Sequence, residues 1–479
     1  IIFDKKKNQI IASRDRFGVK PMYILEQDGE LFLASEIKQL LPFQKKKEVN
    51  REVLSNYLYR YLLDYNEETF FKDIKKLPAM HSLIIDLNTG IKKLEKYWDF
   101  SDLDLSNATD EELIIEYKAL FESAVAVRLR SDVVVGNTLS GGLDSSSIAV
   151  LADRAAKGNF YNYSVISKDK NVSEEKFVDY LIEQNQIKVH KINFDDVNPW
   201  ASAEKVIYHH DEPILSLSTI AHYKMLEVLK KESDIIVVLS GQGGDESLAG
   251  YNKYFFFNIQ DLIRQGKYGM ALNEMVKILP RLGGEFKLKY AKRYLPFLGK
   301  MNANSDVLGQ IVKLERPLFE IGSSAAGLKS RQQQDIKQYS VPPLCHYEDR
   351  NSMAHSLEIR LPFLDYRLVN YSLNLPNHLK IKNGVNKQIL RRSMTELPVE
   401  IRHRFDKKGF TIDEKGHQNE EFNKLFKQTF KESALADIGA INIDILKKEF
   451  EDIQVNTGKL WERDLHRILF AEIWAKKFL

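Results

Sequence analysis

The fold is decided by residues 133–147, whose sequence is VVVGNTLSGGLDSSS. Val133–Leu139 has the length of a strand and begins with three valines, and serine and two glycines follow it directly. A strand, a glycine-rich turn and a helix in this order bring backbone N–H groups and the positive end of the helix dipole to one point. The hydroxyls of Ser140, Ser145 and Ser146 add donors for phosphate oxygens. We therefore expect a phosphate-binding loop here.

Asp144 lies inside this loop, although a carboxylate cannot itself attract phosphate. Its natural role is to hold Mg²⁺ against a pyrophosphate, because Mg²⁺ prefers carboxylate oxygens. The segment lacks the Gly-Lys-Ser/Thr of a Walker loop, so it is not a P-loop. The structural alternative is an ordinary Gly/Ser turn capped by the aspartate.

A second glycine-rich segment, SGQGGDE at residues 240–246, follows another apolar run at Asp234–Ser240. In an open α/β sheet, ligands collect at the carboxyl ends of the strands. Two such ends, carrying Asp144 and Asp245, therefore predict one cleft for a metal-bound triphosphate. The alternative is a loop with a solvent-exposed Asp-Glu pair.

Around these loops, apolar strands alternate with helical stretches from residue 108 onward. The predicted helices are 108–129, 145–157, 173–185 and two more up to residue 231, and the predicted strands are 133–139, 161–167, 188–194 and 234–240. This alternation predicts an α/β fold with a doubly wound parallel sheet covered on both faces. Residues 250–479 are mainly helical in pattern.

Residues 1–100 have an antiparallel pattern instead. Short strands flank tight turns, and two of these turns, Asp28-Gly29 and Asn88-Thr89-Gly90, contain residues that accept positive φ. A short helix is predicted over Ser35–Leu41, ended by Pro42. We therefore predict two domains, residues 1–100 and residues 108–479.

Composition and charge exclude several classes of function. A net charge of +3 on 479 residues offers no bulk electrostatic attraction for nucleic acid. No apolar run reaches the ~20 residues of a membrane span, and no secretory signal is present. The single cysteine, Cys345, rules out an intramolecular disulfide and fits a reducing cytoplasm. We expect a cytoplasmic protein whose partners are small molecules, with no nucleic acid and no membrane.

Several blocks, in order along the chain, resemble the asparagine synthetase and β-lactam synthetase group of ATP-pyrophosphatases. The two loops are similar to that group's pyrophosphate loop and second nucleotide segment, the latter extending through Glu246, Gly250 and Tyr251. Two further synthetase blocks are Asp349–Asp365 and Asn386–Arg391, and three blocks resemble the closing part of a class II (N-terminal-nucleophile) glutaminase domain: Arg14–Pro21, Ala34–Lys38 and Tyr97-Trp98. The resemblance implies an adenine-nucleotide ATP-pyrophosphatase fold preceded by part of an α+β glutaminase domain.

The resemblance also implies ATP-dependent amide synthesis with ATP and Mg²⁺. The acceptor carboxylate, aspartate in asparagine synthetases, attacks the α-phosphorus of ATP, and ammonia then attacks the acyl-adenylate. By resemblance, Asp144 and Asp245 bind Mg²⁺, and the loop Ser140–Ser145 holds the pyrophosphate. The ATP-binding residues implied in this loop are Ser140, Gly141, Gly142, Asp144 and Ser145. Leu139, Val165, Ser240 and Gly241 are implied to contact the adenosine, and Lys387 to stabilise developing charge. Glu358 is expected either to contact Lys387 or a substrate amine, or to be structural.

Two departures bear on the acceptor. Asparagine synthetases commonly carry Glu where this chain has Gln242, and often carry an acid where it has Ser216. Both changes remove negative charge near the expected acceptor pocket. Aspartate is the first expectation, and another carboxylate, such as a sugar acid of a surface polysaccharide or a peptide, is the alternative. A non-catalytic scaffold is a third reading, and the retained acids and lysine argue against it.

The start of the chain bears on glutamine hydrolysis. Class II glutaminases use an N-terminal cysteine whose own α-amine is the base, and the sequence begins at Ile1. The expectation is a chain that uses ammonium salts but does not hydrolyse glutamine, whereas the full-length protein would draw ammonia from glutamine. The resemblance also leaves room for a homodimer.

Overall fold

The computed structural model describes residues 1–166, 173–193, 198–278, 306–317, 326–405, 419–455 and 457–479. The predicted strand ends at residues 167 and 194 lie outside the described residues. The parallel α/β fold is confirmed, and an antiparallel region precedes it. No described helix has the length and apolar character to cross a membrane.

The N-terminal region contains two small antiparallel sheets, ordered β1-β2-β6-β7 and β4-β3-β5. The predicted hairpin turns are confirmed, since Asp28-Gly29 joins β3 to β4 and Asn88-Thr89-Gly90 lies between β6 and β7. The elements are β1 Ile2–Asp4, β2 Gln9–Ser13, β3 Tyr23–Gln27, β4 Glu30–Ala34, α1 Arg51–Arg60, β5 Ile74–Lys76, β6 His81–Asp86 and β7 Lys92–Lys96.

The predicted helix over Ser35–Leu41 is wrong. Two 3₁₀ turns, Ile37–Gln39 and Leu41–Phe43, occupy this stretch instead. The side chain of Gln39 caps the backbone at Glu36, so the first turn is closed locally. Pro42 has no N–H to continue an α-helix, which favours the tighter second turn.

The central sheet has five parallel strands in the order β10-β9-β8-β11-β12. The strands of this sheet and the helices that precede and connect them are α2 Asp110–Arg128, β8 Val135–Thr138, α3 Leu143–Ala155, β9 Tyr161–Ile166, α4 Glu175–Asn185, β10 Lys188–Asn193, α5 Ala203–His210, α6 Leu217–Glu232, β11 Val237–Leu239 and β12 Glu358–Arg360. The chain runs outward from β8 to β10 on one side and returns to β11 on the other. The topological switch point therefore lies between β8 and β11.

The described residues that follow β11 are mainly helical, as predicted. Their elements are α7 Gly244–Ser247, α8 Lys253–Arg264, α9 Tyr268–Ile278, α10 Asp306–Ile311, α11 Leu328–Gln334, α12 Val341–Met353, α13 Tyr366–Asn374, α14 Asn377–Lys380, β13 Ile381–Lys382, β14 Val385–Asn386, α15 Gln388–Ser393, α16 Val399–Arg402, α17 Glu420–Thr429, α18 Ala434–Asp437, α19 Ile443–Gln454 and α20 Glu462–Phe478. Short 3₁₀ turns cover Trp200–Ser202 and Pro362–Leu364, and a π turn covers Asp335–Tyr339.

The largest hydrophobic core joins the N-terminal region to the helical part. Trp474 of α20 packs its ring edge-on against Phe70 and Phe71, with centroids 5.2 and 5.4 Å away. Its indole N–H donates to the carbonyl of Asp211 at 2.9 Å. Residues on both sides of position 100 thus share one core. The division into domains at that position stays a prediction.

Candidate active site

The two predicted loops lie side by side because the strands that precede them are neighbours. β8 and β11 pair in parallel, so the residues after each strand emerge at the same carboxyl edge of the sheet. Gly142 is the N-cap of α3, and Gly243 is the N-cap of α7. A Cβ on Gly241 would lie 3.2 Å from Cβ of Asp144, so the loops are in contact.

Asp144 and Asp245 converge on one cation, the ammonium of Lys387. Its Nζ lies 2.7 and 2.5 Å from the two carboxylate oxygens of Asp144 and 2.6 Å from Oδ1 of Asp245. All three side chains are buried. The cluster joins residues that lie far apart in the sequence, and among the described residues it brings two carboxylates to one ammonium group.

Mg²⁺ fits this cluster by the chemistry of its donors. Carboxylate oxygens are the ligands that Mg²⁺ prefers, and Asp144 and Asp245 already point at a single cation in the Lys387 ammonium. Mg²⁺ held by these two aspartates would supply charge neutralisation for phosphate oxygens.

The convergence requires glycine at position 250. A Cβ there would lie 2.0 Å from Oδ1 of Asp245 and 2.4 Å from Cε of Lys387, which is closer than non-bonded atoms approach. The backbone of Gly250 is fixed as well, since its N–H donates to the carbonyl of Asp245 at 2.8 Å. Its own carbonyl accepts a hydrogen bond from the side-chain amide of Asn386 at 2.5 Å.

The mainly helical pattern of residues 250–479 would place Lys387 inside a helix, but Lys387 lies just before one. It is the N-cap of α15 and has a left-handed backbone with φ of +53°. For a residue other than glycine this conformation costs roughly 1 kcal/mol. The guanidinium of Arg391, one turn later, donates to the carbonyl of Asn386 at 2.8 Å and holds the turn.

The serine hydroxyls close the first loop on itself. Oγ of Ser145 accepts from the N–H of Ser140 at 3.2 Å and donates to the carbonyl of Gly142 at 3.3 Å. Gly141 has φ of +69°, and a Cβ on it would lie 2.9 Å from Cβ of Phe177. Only glycine suits this position.

Arg404 supports the same loop and was not recognised from the sequence. Its guanidinium donates to the carbonyl of Gly141 at 3.0 Å and pairs with Glu174 at 2.7 Å. The arginine places positive charge behind the loop. Motif reasoning offers no signal for it, because Arg404 lies more than 250 residues after the loop.

The residues predicted to contact adenosine line the carboxyl edge of three adjacent strands. Leu139 follows β8 and donates its N–H to the carbonyl of Tyr163 at 2.8 Å. Val165 is half-buried near the end of β9. Ser240 and Gly241 follow β11, and the N–H of Ser240 donates to the carbonyl of Arg360 at 3.1 Å. Their contact with a nucleotide stays a prediction.

Glu246 anchors the second loop from below. Its Oε1 accepts hydrogen bonds from the hydroxyls of Tyr251, at 3.0 Å, and Ser340. Burial and the neighbouring carboxylate of Asp245 raise the pKa of Glu246. The side chain therefore ties α7 to the segment that begins α12.

The contact expected between Glu358 and Lys387 is not formed. Glu358 begins β12 and pairs in register with Val237, at the amino end of the sheet, opposite the loops. Its carboxylate pairs with the guanidinium of Arg360 at 2.8 Å. Side chains alternate between the two faces along this short strand. Glu358 is the first residue of β12 and lies at the end of the strand away from the loops, so its carboxylate does not reach Lys387.

A second acidic cluster lies where the N-terminal region meets α12. Asp64, Glu212 and His346 offer metal-ligand atoms within 4.8 Å of one another. Asp64 Oδ1 lies 2.7 Å from Nζ of Lys76, and Asp64 Oδ2 lies 2.8 Å from Nδ1 of His346. Burial alone would lower the pKa of His346, but the Asp64 carboxylate raises it. Asp64 is thus paired with both Lys76 and His346, while burial raises the pKa of Glu212.

The parallel sheet carries its two glycine-rich loops side by side at the carboxyl edge between β8 and β11. A sequence profile for Asparagine synthase matches residues 116–476, and one for a Glutamine amidotransferase domain matches residues 1–98. The chain belongs to the asparagine synthase family.

Similar proteins include asparagine synthetases and an amidase. Asparagine synthetase [glutamine-hydrolyzing] 2 of Bacillus subtilis (strain 168) is 29% identical over 84% of this chain and 54% of its own length. Asparagine synthetase [glutamine-hydrolyzing] 1 of the same organism is 26% identical over 99% and 76%. Amidase chyE of Penicillium rubens is 24% identical over 94% and 74%. The chain therefore spans about half the length of the first of these relatives.

Proposed function

We propose that the protein joins ammonia to a carboxylate in an amide bond, with ATP activating the carboxylate. The observation that carries this proposal is the convergence of Asp144, Asp245 and Lys387 beside a serine-rich loop at the switch point of a parallel sheet. A site that releases pyrophosphate must bind three phosphates and neutralise their charge. The N–H groups and hydroxyls of the loop, the Lys387 ammonium and Mg²⁺ held by the two aspartates would meet both requirements.

The proposed reaction has two steps. An oxygen of the acceptor carboxylate attacks the α-phosphorus of ATP, the bond to the bridging oxygen breaks, and pyrophosphate leaves with the electron pair. The backbone N–H groups and hydroxyls of Ser140–Ser145 bind the departing phosphates. The nitrogen of ammonia then attacks the acyl-adenylate carbonyl, and AMP leaves. The Lys387 ammonium stabilises charge on phosphate in the first step and on the tetrahedral centre in the second.

Aspartate is the proposed acceptor, which would make asparagine the product and β-aspartyl-AMP the intermediate. A second candidate is another carboxylate, such as a sugar acid. It is favoured by the neutral side chains of Gln242 and Ser216, which stand where asparagine synthetases commonly carry acids. We further propose that glutamine supplies the ammonia in a protein with a complete glutaminase domain, since residues 1–98 match such a domain.

The test incubates the protein with ATP, Mg²⁺ and an ammonium salt, with aspartate, glutamate or a panel of sugar acids as acceptor. Pyrophosphate release is measured, and the amide and AMP are identified by mass spectrometry. We expect aspartate-dependent release of pyrophosphate and formation of asparagine. Release with a sugar acid alone would favour the second candidate, whereas formation of ADP, or no release with any carboxylate, would contradict the proposed chemistry.

A further inference from the structure

A buried carboxyl on α12 faces the second nucleotide loop. Glu348 is only 7% exposed, and its Oε1 accepts a hydrogen bond from the hydroxyl of Ser240 at 2.9 Å. Ser240 immediately precedes Gly241, which touches Asp144. Glu348 is therefore two contacts away from the cluster of aspartates and lysine. The sequence gives no warning of this, because Glu348 lies just outside the block Asp349–Asp365.

The charged groups around Glu348 have other partners, and Cys345, which precedes it on α12, is a buried free thiol whose pKa is raised by burial and by the carboxylates of Asp15 and Glu348. On α12, Asp349 pairs with Lys20, His346 pairs with Asp64, and Arg350 pairs with Glu36 and Asp211. His210 of α5 and His222 of α6 both contact the side chain of Asn351. In the π turn, Lys337 pairs with Asp99 and Asp335 pairs with Arg331, and on β12 Glu358 pairs with Arg360. Among the described residues, none of the ion pairs includes Glu348. Burial therefore raises the pKa of Glu348 to about 7, and the Ser240 hydroxyl opposes this only in part.

Amide formation needs a proton acceptor. The lone pair of ammonia forms the C–N bond while the π electrons of the carbonyl move to its oxygen, so the nitrogen becomes positively charged. One N–H proton must leave before the carbonyl re-forms and the C–O bond to AMP breaks, with the electron pair departing on AMP. Gln242, the side chain on the other side of Gly241, is an amide and cannot accept a proton at neutral pH.

We infer that Glu348 is the proton acceptor of amide formation and that the hydroxyl of Ser240 relays the proton to it. Ser240 gives its hydroxyl proton to Glu348 as it takes one from the nitrogen, so the relay is balanced. This inference rests on the proposed function. A carboxyl that titrates near neutral pH is matched to proton transfer in that range.

The test compares the wild type with Glu348→Gln in two assays. The first is isotope exchange between ATP and pyrophosphate with the acceptor, which reports adenylation alone. The second is amide formation from ammonium over a pH series, corrected for free ammonia. We expect exchange to be retained and amide formation to fall by about 10²-fold or more, the usual contribution of a general base. The wild-type rate should rise with pH through about 7, and this rise should be absent in Glu348→Gln.

Glu472→Gln is the matched control. Glu472 is also a buried glutamate with a raised pKa that accepts a hydrogen bond from a serine, Ser433, at 2.8 Å, but it lies on α20, away from the loops. We expect its pH profile to match the wild type. Ser240→Ala leaves Glu348 in place and removes the relay, so it provides a second variant and should show the same loss of amide formation.

The outcomes separate the two proposals. A wild type without exchange for any carboxylate would overturn the proposed function. Normal exchange with an unchanged amide rate or pH profile in Glu348→Gln would overturn the role of Glu348 alone. An equal loss of exchange and amide formation in Glu348→Gln would make the residue structural, which also overturns the inference.

Discussion

Replacing Lys387 by methionine should destabilise the protein and make its stability depend on Mg²⁺. Nζ lies 2.5 Å from Asp144 and 2.6 Å from Asp245, so the variant leaves two buried carboxylates facing each other without their cation. Two like charges about 5 Å apart repel by ~3 kcal/mol at an effective dielectric constant of about 20. We expect a loss of ~3 kcal/mol in the free energy of unfolding in EDTA, because this repulsion is no longer balanced. Mg²⁺ should restore most of the lost free energy of unfolding, since the ion binds the two carboxylates.

The assay is urea unfolding near neutral pH, with and without Mg²⁺. Lys380→Met is the matched control, because Lys380 is also a fully buried lysine. Its Nζ donates to Oε1 of Gln332 at 3.0 Å and to the carbonyl of Leu373 at 2.9 Å, and neither is a carboxylate. Mg²⁺ should therefore not stabilise this control. Wild-type stability of Lys387→Met in EDTA, or equal recovery of both variants with Mg²⁺, would refute the reasoning.

Three further predictions follow from the same geometry. Asp144→Asn and Asp245→Asn should each abolish Mg²⁺-dependent pyrophosphate release, since each removes a hard anionic ligand; near-normal release by either folded variant, checked by circular dichroism, would contradict the shared cleft. Gly250→Ala should lower amide formation by ~10²-fold through misplacement of the cluster, whereas Gly269→Ala, where a Cβ meets no atom within 4 Å, should not. The stabilising contribution of His346, whose pKa is raised, should be complete below pH ~6.5 and be lost as the pH rises through the pKa of His346 in the folded protein. In urea unfolding over a pH series, the free energy of unfolding should therefore change less with pH for His346→Gln than for the wild type, and parallel curves would refute this.

Local patterns were sufficient to predict four of the five described strands of the parallel sheet and the two glycine-rich loops. The strand before Leu139 and the strand before Ser240 are short apolar runs followed by glycine, and this signal depends only on neighbouring residues. The hairpin turns at Asp28-Gly29 and Asn88-Thr89-Gly90 are local for the same reason. The helix over 108–129 is likewise confirmed, because Thr109 and Glu112 form a capping box.

Features that depend on tertiary packing could not be predicted. β12 is only three residues long, and it becomes a strand because it pairs with β11. Lys387 reaches the aspartates through a left-handed turn that periodicity assigns to a helix. Glu348 is buried by the packing of α12 beneath Ser240, and nothing in its own neighbourhood distinguishes it from a solvated glutamate.

The core shared by the two ends of the chain imposes an order on folding. Phe70 and Phe71 are covered by Trp474, and Tyr57 donates its hydroxyl to the carbonyl of Ile214 at 2.6 Å. Phe70 and Phe71 cannot be buried natively until about 400 further residues have left the ribosome, at the ~5–20 residues per second of synthesis. During that interval, the N-terminal region presents an exposed apolar surface of the kind that chaperones bind. Its folding should therefore be slow, because contacts of such large sequence separation form late.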